Sequence, residues 1–123
     1  MINILKGNMF SGDFKVSLSC LLEKIPPNKW DWYIYEIYAV GIAPQGMDMH
    51  DFEKQVLSSE TGLKLTWDEV RELSNSLTDI DTCYLAALSR PVKYDSLEAG
   101  DLTHCFALIT IFDSTTWEIK LIN

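Results

Sequence analysis

CFALITIFDSTTWEIKLIN, residues 105 to 123, decides the fold. Cys105 to Phe112 is a run of apolar, β-branched and aromatic side chains, the composition of a strand. Trp117, Ile119 and Leu121 then alternate with Glu118 and Lys120, which is the period of a strand with two different faces. Asp113 to Thr115 supplies the turn. The expected unit is a β-hairpin, and a hairpin makes its sheet antiparallel.

Working backwards, TCYLAALSR, residues 82 to 90, reads as a buried strand that Pro91 ends. Residues 92 to 104 read as a loop or a short helical turn. KWDWYIYEIYAV, residues 29 to 40, is rich in aromatic and β-branched residues and reads as another strand. Alternation puts Trp30, Trp32, Ile34, Glu36 and Tyr38 on one face. Asp31, Tyr33, Tyr35, Ile37 and Ala39 fall on the other. MINILK could add a short edge strand, with GNMFSG as a turn.

Three segments carry helical spacing instead. Phe14, Leu18, Leu21, Leu22 and Ile25 form one stripe, capped by Ser11 or Asp13 and stopped by Pro26 and Pro27. Met49, Phe52, Val56 and Leu57 form a second stripe behind an Asp48 cap. Trp67, Val70, Leu73 and Leu77 form a third, opened by Thr66 and Glu69 at capping-box spacing. The order predicts an α+β domain: a mainly antiparallel sheet of four to five strands, about three helices covering one face, and a C-terminal hairpin. The 123 residues suit one domain, 1–123, with no linker or internal repeat.

Composition narrows the function. The hydrophobic share of 47% is enough for a packed core, and no segment reaches the length of a membrane span. The opening residues lack the pattern of a signal peptide, so the expected compartment is the cytoplasm. Three cysteines, Cys20, Cys83 and Cys105, fit buried thiols in a reducing compartment. The net charge of -8, with no basic patch, argues against nucleic acid and against an anionic lipid surface.

The motifs of familiar chemistry are missing. The six glycines form neither GxGxxG nor GxxxxGK[ST], and there is no HExxH, CxxC or GxSxG. His50 and Asp51 are neighbours, but adjacent residues on a helix diverge. His104 and Cys105 are neighbours entering a strand and point to opposite faces. Glu36 and Glu118 each interrupt an apolar strand and are the better candidates for a carboxylate in a cleft. Neither catalysis nor a cofactor nor a metal is expected. An aromatic pocket lined by Trp30, Trp32, Tyr33 or Tyr35, with Glu36 or His104 at its base, is the alternative site: a small-ligand module or small enzyme.

Three stretches carry a likeness: KIPPNKWDWYIYEIY after an amphipathic helix, LTWDEVRELSNSL, and the closing FDSTTWEI hairpin. Together they resemble the small single-domain immunity proteins of bacterial polymorphic-toxin and contact-dependent inhibition systems. Some of those families place an aspartate–serine turn before an aromatic residue in the last hairpin. The resemblance implies a non-catalytic protein-binding domain that occludes the basic cleft of a cognate toxin, nucleases among them. Residues 48 to 81 hold nine acids and three bases and would supply the face. Asp48, Asp51, Glu53, Asp68, Glu69, Glu72, Asp79 and Asp81 are its candidates, opposite a basic partner that their field would steer.

Overall fold

A computed structural model describes residues 2–122. Its centre is a six-stranded antiparallel sheet in the order β1-β8-β7-β6-β4-β5. The strands are β1 (Ile2–Asn8), β4 (Asp31–Gly41), β5 (Leu63–Leu65), β6 (Leu77–Leu88), β7 (Cys105–Phe112) and β8 (Thr116–Ile122). A two-stranded ribbon, β2 (Phe10–Ser11) with β3 (Phe14–Lys15), precedes α1 (Leu18–Leu22). The remaining helices are α2 (Met49–Leu57), α3 (Trp67–Ser76) and α4 (Tyr94–Glu98), with a single 3-10 turn at Pro44–Gly46. The α+β class and the antiparallel sheet are as expected. The structure is larger than expected, with six strands in the main sheet, a separate ribbon and four α-helices among the described residues.

The C-terminal hairpin forms at the expected place. Ile109 pairs with Ile119 and Phe112 with Thr116, and Asp113 and Ser114 take left-handed backbone in the turn. β1 then adds to β8 as an edge strand, Leu5 opposite Ile119. On the other side β6 joins β4, Ile34 opposite Leu85.

The first face of the sheet carries Trp32, Ile34, Ile37, Leu85, Ile109 and Ile119. It packs against Leu21, Leu22, Phe52, Val56, Val70 and Leu73 from α1, α2 and α3. These side chains are almost completely buried, and each stabilises the fold by about 1.5–3 kcal/mol relative to exposure. The second face has a smaller core. Tyr33, Tyr35, Ala86, Leu88 and Leu108 lie under Leu97 of α4 and its flanking loops. Helices were expected on one face alone; the segment after Pro91 covers part of the other.

Three local readings are corrected. Simple alternation along 29–40 fails, because the pairing with β6 shifts between Ile34 and Glu36 and again after Tyr38. Such a bulge adds a residue and exchanges faces. Ile34 and Ile37 therefore share the first core, while Tyr33 and Tyr35 share the second. The first helix begins later than its stripe implied. Ser17, not Ser11 or Asp13, caps it, and Phe14 lies exposed in the ribbon. The third helix gives way directly to β6 at Leu77, so Asp79 and Asp81 stand on a strand.

Candidate functional site

The eight acidic candidates are mostly engaged in holding the fold. Asp48 caps α2, accepting from the amides of His50 at 2.8 Å and Asp51 at 3.4 Å. Glu53 reaches across to accept the amide of Ala39 at 3.1 Å, where β4 departs from regular pairing. Glu69 completes the capping box with Thr66, at 2.9 and 3.1 Å. Asp79 pairs with Lys15 at 2.7 Å, and that ammonium holds its carboxyl below the usual range. Asp81 accepts from Ser114 at 2.6 Å and ties β6 to the hairpin turn.

The same residues face different recesses. Glu69 and Glu72 share one of about 260 Å³ with Ile42, Pro44 and Gln45. Asp68 faces a second, beside Trp30, and Asp79 a third, beside Lys15. Asp51 is exposed on α2. The stretch thus brings Glu69 and Glu72 together and spreads Asp68 and Asp79 elsewhere.

The expected aromatic pocket is also displaced. Trp32, Tyr33 and Tyr35 are buried in the two cores. Burial among Tyr84, Tyr33 and Cys105 raises the hydroxyl pKa of Tyr35, whose proton is donated to the carbonyl of Val92 at 2.6 Å. Glu36 and Glu118 occupy one row across the second face, Glu36·Tyr84·Thr110·Glu118·Lys6, at the margin of the part that α4 covers, where Tyr84 meets Tyr94 with ring centroids 4.9 Å apart. That row is a half-open sheet surface, which is why polar side chains interrupt apolar strands there. Among the described residues, no group of three or more His, Cys, Asp or Glu is arranged to hold a metal.

The aromatic surface that does form is a row of four rings, Phe106, Trp30, Trp32 and Trp67. Successive centroids are 5.2, 6.1 and 5.2 Å apart. Trp32 is its buried middle. Its indole N–H donates to Asn28 Oδ1 at 3.0 Å, and the same oxygen accepts the Trp30 amide at 3.2 Å. Asn28 is itself steadied by donating to the Pro26 carbonyl at 3.0 Å. The two prolines and this asparagine turn the chain from α1 into β4 and seat the tryptophans.

Trp67 stands at the half-buried end of the row, between two recesses. The smaller, about 240 Å³, is lined by Asn28, Trp30, Asp31, Thr66 and Asp68. The larger, about 390 Å³, lies between α1 and α3. Leu22, Ile25, Pro27 and Trp67 give it apolar walls. Ser19, Ser74 and Asn75 give it a polar one: Ser19 Oγ lies 3.1 Å from both Ser74 Oγ and Asn75 Oδ1, and Ser74 donates to the Arg71 carbonyl at 2.7 Å. Arg71 and Glu23 complete the lining.

Sequence reasoning assigned Trp67 to a core stripe and passed over Arg71. The signal available was weak: a tryptophan at the first helical position, one turn before an arginine. The pairing of α1 with α3 that makes the recess is invisible in either segment alone.

An α+β domain with an antiparallel sheet and an aromatic-walled recess between two helices is thus the class defined by the fold and its geometry. The chain matches no protein-family model, no curated protein and no solved structure. No helix among the described residues is long and apolar enough to cross a membrane.

Proposed function

We propose that the chain is a non-catalytic binding module whose site is the recess between α1 and α3, and that it takes a small ligand against Trp67. The observation that carries this reading is the recess itself. Its volume of about 390 Å³ lies in the range of small-molecule sites, and it combines apolar walls with a few convergent polar groups. Trp67 is held from behind by the fully buried Trp32, so a ligand would meet a pre-positioned ring. A thermal-shift screen of small ligands tests the idea. A ligand at 100 times its dissociation constant stabilises the protein by about 2.7 kcal/mol. The expected result is a rise in melting temperature for the native chain that Trp67→Ala abolishes. A rise that survives Trp67→Ala would reject this site.

A second reading rests on charge. The net charge is -8, and Glu69 and Glu72 line their own recess at the N-terminal half of α3. In the immunity-protein reading these carboxylates meet a basic toxin and speed its docking, an effect that salt would screen. Association with a basic nuclease that slows about tenfold from low to physiological salt, and slows further in Glu72→Lys, would favour it. An association rate indifferent to both changes would count against it.

A further inference from the structure

The recess at Trp67 holds two full charges of opposite sign. Arg71 projects from α3, and Glu23 follows the last turn of α1. Among the described residues neither makes an ion pair, although both line the same space. Other basic side chains of this acidic protein do find carboxylates, as Lys15 finds Asp79 and Lys64 finds Asp31. The indole of Trp67 and the apolar side chains of Leu22 and Ile25 line the same recess as the two charges.

Resting on the reading of this recess as a ligand site, we infer that its ligand is an amino-acid-like zwitterion with an apolar side chain. The guanidinium of Arg71 presents paired donors that match a carboxylate. The carboxylate of Glu23 accepts from an ammonium, and an indole face nearby adds attraction for the same cation. The apolar side chain then covers Trp67 and Ile25. A neutral ligand would use neither charge, and a singly charged one would leave the other partnered by water alone. The zwitterion satisfies both within one small molecule.

The test is a titration followed by the indole N–H resonance of Trp67, assigned through Trp67→Phe, with four isosteric probes. They are leucine, 4-methylpentanoate without the ammonium, isoamylamine without the carboxylate, and neutral 4-methylpentanamide. Leucine is expected to shift the Trp67 signal, and each singly charged analogue to bind about tenfold more weakly or worse, the value of one charge-assisted hydrogen bond. Arg71→Gln should reduce leucine to the level of isoamylamine, and Glu23→Gln to the level of 4-methylpentanoate. Both side chains are exposed, so both variants should keep the native spectrum elsewhere. If an analogue or the amide binds as well as leucine, the zwitterion is overturned while the Trp67 site stands. If no probe moves Trp67, the inference and the site fall together.

Discussion

Asn28→Ala isolates the contact that seats the aromatic row. In the native chain one side-chain oxygen accepts two donors, the indole N–H of Trp32 and the amide of Trp30. Trp32 has no exposed surface, so its N–H cannot turn to water when that oxygen is removed. An orphaned buried donor costs about 1–3 kcal/mol, and the weaker bond to the half-buried Trp30 adds a fraction of that. We expect a loss of about 2–3 kcal/mol. With an unfolding entropy of about 2.1 cal/mol/K per residue over a chain of this length, the melting temperature should fall by about 8–12 °C. Urea unfolding followed by tryptophan fluorescence gives the free energy directly. The midpoint should drop with an unchanged slope, because the exposed surface is unchanged. Asn28→Asp keeps the acceptor and should recover most of the loss. A change below about 0.5 kcal/mol in Asn28→Ala, the size of an ordinary surface substitution, would refute the role given to Asn28.

Other consequences follow from single contacts. Gly41→Ala should destabilise strongly, because a β-carbon there would sit 2.4 Å from the Ser76 carbonyl oxygen and 2.6 Å from Leu77 Cα, at a φ of 148°; urea unfolding should show a loss above about 2 kcal/mol. Asp79→Asn should cost less than about 1 kcal/mol at pH 7, since the pair with Lys15 is partly solvated. The folded-state pKa of Asp79 is lowered, so its contribution is complete above the unfolded value near 3.8 and is lost as pH falls through the folded one. Native and variant stabilities should therefore converge as pH falls through that lowered value. Burial, helped by Glu36, pushes the Cys83 thiol up to about 12, and burial pushes Cys105 up to about 11. A thiol reagent at pH 8 should leave both unmodified in the native protein and modify all three cysteines in denaturant. Rapid native labelling of Cys83 would contradict its placement in the core.

The elements legible in the sequence are those whose signal is local. The hairpin from Cys105 was readable because period and turn chemistry coincide there. The α3 capping box was readable because Thr66 and Glu69 satisfy each other within one turn. Where the backbone breaks its period, the reading failed. The irregularity between Ile34 and Glu36 exchanged the faces of β4, and no residue there announces a bulge. The ribbon at Phe10–Lys15 took Phe14 out of a helical stripe to which its spacing matched. The acidic stretch misled for another reason. Carboxylates are counted in a sequence, but their hydrogen bonds are not. Glu53 on the Ala39 amide and Asp81 on Ser114 are long-range contacts of the fold. Trp67 and Arg71 were visible as residues and invisible as a site, because Ser19 on α1 and Glu23 and Ile25 just after it supply the opposing wall.

The central claim is that the space between α1 and α3 is where this protein binds. Soaking crystals with a panel of neutral, anionic, cationic and zwitterionic fragments asks this most directly. The account expects ordered fragment density against the Trp67 ring, between Arg71 and Glu23. Fragments gathered at the Glu69–Glu72 recess or on the open sheet face, with only water beside Trp67, would contradict it.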